Sequence, residues 1–371
     1  MGPTVLFDKS AIQGLGQQAL TEVGRYFFTV VPHVLLMETL ADLSLMPNDL
    51  KAAQAEVAKI ANKVLPTDSI ANEHYHTMCV QNLLGDRIPM TRRPAVSGAK
   101  PVIASDGSKG LVIDVQSETE AVMRWQCGNF NSEDMRFAIE WRKAAAGSNL
   151  EEMKKALSTP PVQLKSAEEV RDYIDLLLAQ QEAQMPMLVW FINLMKIDES
   201  RRQRIHSRWG FDSTKMLATF APYAFHCLRV QLIFYTGMLQ GIFGTRSSNV
   251  VDLEYLYYSP FTSVFCSGDK LHKQLAPLIL ADDQTFVTSC DFQRALNELA
   301  TARVSDPVAN PADDSLIHQL WLRHCQRTPI FTRRQAISEE QNNAIMEHVR
   351  PIMDALANIK LDSEKRNRFP V

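Results

Sequence analysis

The sequence lacks a strong excess of charge of either sign. Among its 371 residues, lysine and arginine total 39 and aspartate and glutamate total 42, so the formal net charge is −3. Proteins that attract nucleic acid through their overall charge are strongly basic. Any contact with nucleic acid must therefore depend on local clusters of basic side chains.

Paired cysteines are also absent. None of the six cysteines belongs to a CxxC pair, which excludes a zinc ribbon and a thioredoxin-type motif. Most stand in apolar surroundings, so we expect buried free thiols in a reducing compartment. The six are Cys79, Cys127, Cys227, Cys266, Cys290 and Cys325.

No apolar run predicts a membrane span, which needs about 20 residues. The run 185–195 is too short, and the run 216–243 is interrupted by polar side chains that favour a buried helix. The first residues have a strand pattern rather than the charged and apolar regions of a secretory signal. We therefore expect a cytoplasmic protein with no membrane partner.

Short apolar runs that predict strands alternate with helical patterns in two parts of the chain, before about residue 45 and after about residue 245. Residues 4–8 and 26–31 predict strands, and Pro32 is expected to begin a helix because its missing N–H is harmless there. Residues 262–266 and 284–288 predict two further strands. Strands that alternate with helices predict an α/β fold with a parallel sheet.

Helical patterns dominate between these ends, so the α/β core is predicted to be discontinuous. We expect residues 1–45 and 245–300 to form the core, and 46–244 to form a mainly helical insertion. A small hairpin is predicted near 101–115, and a helical C-terminal region over 301–371. Long insertions cost little loop-closure entropy.

Local signals place further helices. Helices are predicted from Lys9 to about Val23, over 48–64 and over 270–280, and a long buried helix over 216–243. Two capping boxes predict helix starts, and they pair Ser166 with Glu169 and Ser338 with Gln341.

Four acidic residues stand where such a fold would gather them. Asp8 ends the first strand, and Asp269 follows the strand 262–266. Ligands of open parallel sheets bind beyond the carboxyl ends of the strands. Glu38 and Asp252 lie on helical stretches that could complete the site. Clustered carboxylates repel one another and bind hard divalent cations, and that chemistry points to phosphodiester hydrolysis.

Two neighbouring acids leave alternatives open. Glu254 competes with Asp252, because it lies two residues further along the same predicted helix. Asp42 shares a helix face with Glu38 and is a candidate for supporting the ligands from outside. Any one of these acids by itself is more often a helix cap or a solvated side chain.

The acidic motifs resemble those of PIN-like nucleases, in the same order along the chain. They are Phe7-Asp8-Lys9-Ser10, the segment from Pro32 through Glu38-Thr39-Leu40-Ala41-Asp42-Leu43, Asp252, and Ser267-Gly268-Asp269. The resemblance covers only the two segments of the predicted core. It implies a three-layer α/β/α core with a parallel sheet.

The resemblance also implies a site and an activity. Asp8, Glu38, Asp252 and Asp269 would be both catalytic residues and ligands of Mg²⁺ or Mn²⁺, with Ser10 and Ser267 as nearby hydrogen-bonding groups. We expect Asp8 to be the central ligand because it sits rigidly at a strand end. The activity implied is that of a metal-dependent endonuclease, with RNA favoured over DNA.

Two other groups of side chains are weaker candidates. A basic run followed by tryptophan could guide nucleic acid, although such a run is more often a solvated helix face. That run is Arg201, Arg202, Arg204, His206, Arg208 and Trp209. His74, His76 and Cys79 carry donor atoms suited to zinc, but no fourth ligand has zinc-like spacing.

Two hypotheses follow. In the first, the chain is a metal-dependent nuclease whose helical insertion selects substrate, gates the site or binds a second copy or a regulatory protein. In the second, it is a non-catalytic binding or scaffold protein on a degenerate PIN-like core. Binding of a divalent cation distinguishes them.

Overall fold

The computed structural model describes residues 2–46, 48–64, 68–96, 100–103, 109–112, 117–146, 162–210, 214–306 and 309–325. The strands are β1 Thr4–Phe7, β2 Phe28–Val31, β3 Ser69–Ala71, β4 Lys100–Ile103, β5 Lys109–Val112, β6 Val264–Ser267 and β7 Thr285–Thr288. The helices are α1 Lys9–Gly14, α2 Gln17–Tyr26, α3 His33–Leu40, α4 Leu50–Ala61, α5 Tyr75–Leu84, α6 Ser117–Gln126, α7 Ser132–Ala146, α8 Ala167–Ala179, α9 Gln184–Leu194, α10 Glu199–Trp209, α11 Leu217–Phe220, α12 Pro222–Leu239, α13 Ser248–Tyr257, α14 Lys270–Ile279, α15 Ser289–Ser305 and α16 Leu316–Cys325. Short 3-10 helices span Ala41–Ser44, Gln181–Ala183 and Ser259–Phe261.

Five strands form one parallel sheet in the order β3-β2-β1-β6-β7. The two central strands, β1 and β6, pair Val5 with Val264 and Leu6 with Phe265. These four side chains are 0% exposed. Continuous apolar runs of this kind are typical of parallel strands that are covered on both faces. The predicted α/β class with a parallel sheet is confirmed.

The direction of the chain across the sheet reverses between β1 and β6. The chain first steps from β1 to β2 and β3, and it later returns to the other side of β1 as β6 and β7. Because crossovers between parallel strands are right-handed, these opposite steps place α2 and α14 on opposite faces of the sheet. Ligands bind beyond the carboxyl ends of the strands at such a reversal.

Two helices that the sequence predicts as continuous are broken in the structure. The helix after β1 divides at Leu15–Gly16 into α1 and α2. The helix predicted over 216–243 divides at Ala221, whose φ of −148° and ψ of 77° are not helical. Pro222 causes that break, because a proline has no N–H and disfavours a helical residue before it.

The sheet also takes an edge strand from within the predicted insertion. β3 lies inside 46–244, yet it pairs with β2. Its three residues are too few to show a strand periodicity in the sequence. The predicted hairpin is present as β4 and β5, although β5 begins at Lys109 rather than at Leu111. Ser338 and Gln341 lie outside the described residues.

The insertion is built around α12. Most of its side chains are buried, and it packs against α5, α8 and α13. Arg229 on α12 donates two hydrogen bonds to Asp175 on α8, at 2.6 and 2.8 Å. One continuous cluster of buried apolar side chains joins the insertion to the sheet. The insertion and the sheet therefore share a hydrophobic core.

Within the described parts of the chain, we find no helix with the length and apolar character that a membrane span requires. All six cysteines are free thiols, and the three that are buried are Cys79, Cys227 and Cys266.

Asn82 joins two helices of the insertion, and its removal should destabilise the protein. Its Oδ1 accepts hydrogen bonds from the backbone N–H groups of Tyr223 and Ala224, at 2.9 and 3.3 Å, at the start of α12. Asn82→Ala would leave those buried donors without a partner, so we expect a loss of about 2–3 kcal/mol in the free energy of unfolding. Urea unfolding followed by circular dichroism measures it.

Asn62→Ala is the matched control, because Asn62 is exposed. Its unfolding free energy should change by no more than about 0.5 kcal/mol. Equal stability of the Asn82 and Asn62 variants would contradict the capping role.

Candidate functional site

Asp8 is the first residue after β1 and is 4% exposed. Its Oδ1 accepts the N–H of Ala11 at 2.7 Å and thereby caps α1. Its Oδ2 accepts the hydroxyl of Ser267, the last residue of β6, at 2.6 Å, and that of Ser10 at 2.9 Å. One carboxylate thus joins the carboxyl ends of the two central strands.

His272 on α14 completes this connection. Its side chain is 0% exposed. Its Nε2 lies 2.6 Å from the carbonyl oxygen of Asp252, and its Nδ1 lies 2.7 Å from Ser267 Oγ. A carbonyl oxygen only accepts, so Nε2 carries a proton. Because Ser267 donates its hydroxyl proton to Asp8, Nδ1 carries a proton as well. The geometry therefore holds His272 as an imidazolium.

The pKa shifts of Asp8 and His272 also indicate that the two side chains form a charged pair. Burial raises the pKa of Asp8, but the hydrogen bonds and positive charge of His272, with the hydroxyl of Ser267, lower it below the ordinary value of 3.8. Burial lowers the pKa of His272, but Asp8 more than reverses this and holds it above 6.5. The two groups lie 3.6 Å apart, between Nδ1 and Oδ2.

Glu38 lies on α3 and faces the same region. Its Oε2 accepts a hydrogen bond from the hydroxyl of Tyr255 on α13 at 2.7 Å. Burial raises the pKa of Glu38 above 4.5, and the charges of Asp8 and Asp42 add to this effect. Lys9 Nζ donates to the backbone oxygen of Glu38 at 3.1 Å, so a cation stands beside the acid.

Asp42, predicted as a supporting group, pairs with cations beside Glu38. It lies in the 3-10 helix after α3 and accepts Lys9 Nζ at 2.7 Å. Its Oδ1 also lies 3.9 Å from Arg142 Nη2 on α7. The same Nη2 donates to the carbonyl oxygen of Ala41 at 3.2 Å. Asp42 thus positions two cations side by side.

Asp252 and Glu254 occupy different surroundings, although they are two residues apart on α13. Asp252 lines the cavity beside Glu38. Burial, with repulsion from Asp269, Glu38 and Asp8, raises the pKa of Asp252 to about 7. Burial raises the pKa of Glu254 to about 8, and its charge acts on Tyr75 and Tyr235 instead. Of these two acids, Asp252 is the one that lines the cavity.

Asp269 caps α14, where its Oδ1 accepts the N–H of Leu271 at 2.6 Å. The backbone N–H of Asp269 donates to Ser267 Oγ at 3.0 Å. Neither Asp269 Oδ2 nor the carboxylate of Asp252 accepts a hydrogen bond from the residues that the structure describes. These oxygens are available to a ligand.

A cavity of about 260 Å³ opens beside Glu38 and Asp252. It is lined by Lys9, Glu38, Trp141, Arg142, Ala145, Ser247, Ser248, Val251 and Asp252. Acids from α3 and α13 form one part of its wall, and cations from α1 and α7 form another. The cavity can therefore hold a ligand that carries negative charge.

The four predicted acids meet at one end of the sheet, but they do not form a ready metal site. Within the described ranges, no three histidine, cysteine, aspartate or glutamate side chains are grouped closely enough to hold one ion. The donor atoms suit a hard divalent cation, because the available ones are carboxylate oxygens. Binding an ion would require these carboxylates to approach one another.

Two members of the basic run on α10, Arg208 and Trp209, are used in packing, whereas Arg201, Arg204 and His206 are exposed. Trp209 is 4% exposed and packs edge-on against Phe220, with ring centroids 4.8 Å apart. Arg208 stacks on Phe220 and donates to three backbone carbonyls. Arg202 bonds to Asn193 and Arg201 pairs with Asp198. Trp209 has no face for a base to stack on.

The histidine and cysteine group is also structural. Cys79 is 0% exposed, and His76 Nε2 lies 2.8 Å from the backbone oxygen of Met195. His74 packs edge-on against His33, with ring centroids 4.4 Å apart, and burial lowers the pKa of His74 to about 3.

Sequence reasoning missed His272, Tyr255, Trp141 and Arg142. His272 and Tyr255 each stand three residues after a predicted ligand, so their spacing from Asp269 and Asp252 could have indicated one helix face. No signal in the sequence connects Trp141 or Arg142 to the site, because both belong to the predicted insertion.

In comparisons with known proteins, no family model, no curated protein and no solved structure matches this chain.

The charged state of His272 can be tested through stability. A histidine with a raised pKa stabilises the fold below its unfolded pKa of 6.5, and this contribution is lost as pH rises through the folded pKa. The destabilisation caused by His272→Gln, measured in EDTA, should therefore be larger near pH 5 than near pH 8.5. Urea unfolding at the two pH values measures it.

His226→Gln is the control with the opposite sign. Burial lowers the pKa of His226 to about 4, so the wild-type chain loses stability as pH falls from 6.5 through that value. The destabilisation caused by His226→Gln should consequently shrink at low pH. The same slope for both variants would show that His272 is not an imidazolium.

Proposed function

We propose that this protein is a metal-dependent nuclease that hydrolyses phosphodiester bonds at the crevice between β1 and β6. The observation that carries the proposal is Asp252. Its carboxylate lines a cavity and accepts no hydrogen bond from the described residues. Burial raises its pKa to about 7, and repulsion from Asp269, Glu38 and Asp8 adds to this effect. Buried carboxylates that repel one another are stabilised when a cation binds them, and this would account for their arrangement here.

The residues of the chain take distinct parts in this proposal. Asp8, Glu38, Asp252 and Asp269 would hold Mg²⁺ or Mn²⁺. Ser267 and His272 hold the Asp8 carboxylate ionised and fixed in direction. A bound divalent cation would supply charge for the scissile phosphate and an activated water.

The cations across the cavity complete the proposed site. Lys9 stands beside Glu38 and faces the same cavity as Arg142, so both can attract the phosphate backbone. The preference for RNA over DNA, and the PIN-like family, rest on the order of the acidic motifs along the chain.

A second candidate function is supported by a specific observation. Asp8, Glu38 and Asp269 each accept a hydrogen bond that also serves the fold, and the described residues hold no ready group of three ligands. A non-catalytic binding or scaffold protein on a degenerate core would show the same arrangement. Cleavage and cation binding separate the two.

Cleavage should depend on Asp8 and Asp252 but not on Glu254. Asp8→Asn keeps an oxygen that can cap α1 but leaves the His272 imidazolium without its counter-charge, so circular dichroism must first show that this variant is folded. The Asp252 carboxylate accepts no hydrogen bond from the described residues, so Asp252→Asn should retain the fold. With labelled single-stranded RNA and DNA and Mn²⁺, Asp8→Asn and Asp252→Asn should each lose at least about 100-fold in kcat/KM. EDTA should abolish cleavage by the wild-type protein.

Glu254→Gln is the matched control, since it changes an acid on the same helix outside the cavity. It should cleave at the wild-type rate. Equal activity of all three variants would refute the assigned site.

Cation binding should raise the melting temperature. A cation at one hundred times its Kd stabilises the folded state by about 2.7 kcal/mol. Titration with Mn²⁺ should raise Tm in the wild-type and Glu254→Gln proteins, and much less in Asp252→Asn. Differential scanning fluorimetry measures this shift. Its absence in the wild-type protein, together with no cleavage, would favour the scaffold function.

A further inference from the structure

We propose that α7 forms the substrate-binding wall of this site, where Arg142 binds a backbone phosphate and Trp141 stacks on a base of an unpaired strand. The substrate would therefore be single-stranded nucleic acid rather than a duplex. This inference rests on the proposed function, and it assigns a role to a helix of the insertion, which the acidic motifs do not include.

The packing of α7 brings it to the site. It contacts the 3-10 helix Ala41–Ser44, α3 and α13. Those elements carry Asp42, Glu38 and Asp252. Trp141 and Arg142, near the end of α7, consequently face the cavity that two of the acids line. The cavity would have no wall on this side without α7.

Arg142 has hydrogen-bonding capacity that the protein does not use. Nη2 donates to the backbone of Ala41, but Nη1 has no acceptor among the described residues, and the side chain is 42% exposed. The N–H groups of Nη1 can therefore donate to a ligand. A phosphate oxygen in the cavity would be a suitable acceptor, and arginine binds phosphate through pairs of N–H groups.

Asp42 keeps this cation in place. It pairs with Lys9 at 2.7 Å and lies 3.9 Å from Arg142. One carboxylate beside two cations leaves positive charge at this part of the wall. The acids Glu38 and Asp252 lie on another part of it. The arrangement suits a phosphate that bridges Arg142 and a cation held by the acids.

Trp141 gives the wall an aromatic surface. It is half-buried, so part of the ring system is accessible, and it lines the cavity next to Arg142. Stacking of a base on an aromatic side chain is favourable and tolerates different base sequences. Adjacent arginine and tryptophan side chains therefore suit one phosphate and the neighbouring base.

The size of the cavity selects an unpaired strand. Its volume of about 260 Å³ is below the range of roughly 300–1,000 Å³ found for pockets of drug-sized ligands. A single nucleotide or part of one can enter such a space, but a base pair within a stacked duplex cannot. A paired nucleotide would first have to leave the stack, which weakens its binding.

The experiment uses the full chain and measures binding apart from cleavage. Arg142→Gln and Trp141→Ala are each placed in the wild-type and Asp252→Asn backgrounds. Fluorescence anisotropy with labelled single-stranded and hairpin RNA oligonucleotides gives Kd in the inactive background. Initial rates with Mn²⁺ give kcat and KM in the active one. Arg136→Gln is the matched control, because Arg136 lies on α7 but is 58% exposed and pairs with Glu133.

We expect Arg142→Gln to weaken binding of the single strand about 10- to 100-fold and to lower the salt dependence of log K by about one unit. Trp141→Ala should weaken it about 10-fold, and Trp141→Phe should restore part of the loss. Arg142→Lys keeps the charge and should restore part of the salt dependence. Arg136→Gln should match the parent protein. The paired stem should bind more weakly than the single strand.

Each of the following outcomes would contradict a defined part of the two proposals. Wild-type cleavage with unchanged Kd and KM in the Arg142 and Trp141 variants would refute the role of α7 and leave the nuclease function standing. Equal affinity for stem and single strand would refute the choice of substrate. Binding that depends on Arg142 and Trp141 without any cleavage would support this wall and refute the nuclease. No binding of either oligonucleotide would refute the wall.

Discussion

The site depends on one buried connection, in which Ser267 lies between the Asp8 carboxylate and the His272 imidazolium. The carboxylate caps α1, the hydroxyl ends β6, and the imidazolium on α14 reaches the backbone of α13. A buried charge without a partner is strongly destabilising, so these elements keep a fixed arrangement. The connection joins the ends of β1 and β6, where the strand order reverses, and it fixes the direction of the Asp8 carboxylate. The carboxylates of Glu38 and Asp252 take no part in it and face the cavity instead.

Much of the α/β core could be predicted because local patterns determine it. β1 and β6 are short apolar runs followed by an acid, and helix caps use such acids whether or not a ligand is present. The reason that Asp8, Glu38, Asp252 and Asp269 meet is the order of strands, which the sequence only suggests. Two features of the fold could not be predicted from the sequence, for physical reasons. β3 has three residues, too few for a period, and Pro222 divides a helix whose apolar run continues across it.

The wall of the cavity on α7 was beyond sequence reasoning for a different reason. Arg142 and Trp141 lie on an ordinary amphipathic helix, and only tertiary packing brings that helix to α3 and α13. Conversely, the basic run on α10 has the composition of a nucleic-acid contact, but Trp209 and Arg208 are used in packing and backbone hydrogen bonds. Residue type identifies chemistry that a side chain can perform. Burial and neighbouring groups decide whether it is available to a ligand.

The edge strand β3 has a consequence for any shortened form of this protein that lacks the insertion. Its backbone pairs with β2 although it is encoded within the segment that separates the two halves of the acidic motif. A shortened chain that joined 1–45 directly to 245–300 would lose a strand of the sheet, the cavity wall on α7 and much of the common hydrophobic core. The insertion is therefore not a module that recombination can add or remove. Core and insertion belong to one folded unit, because they share both the sheet and the buried apolar cluster.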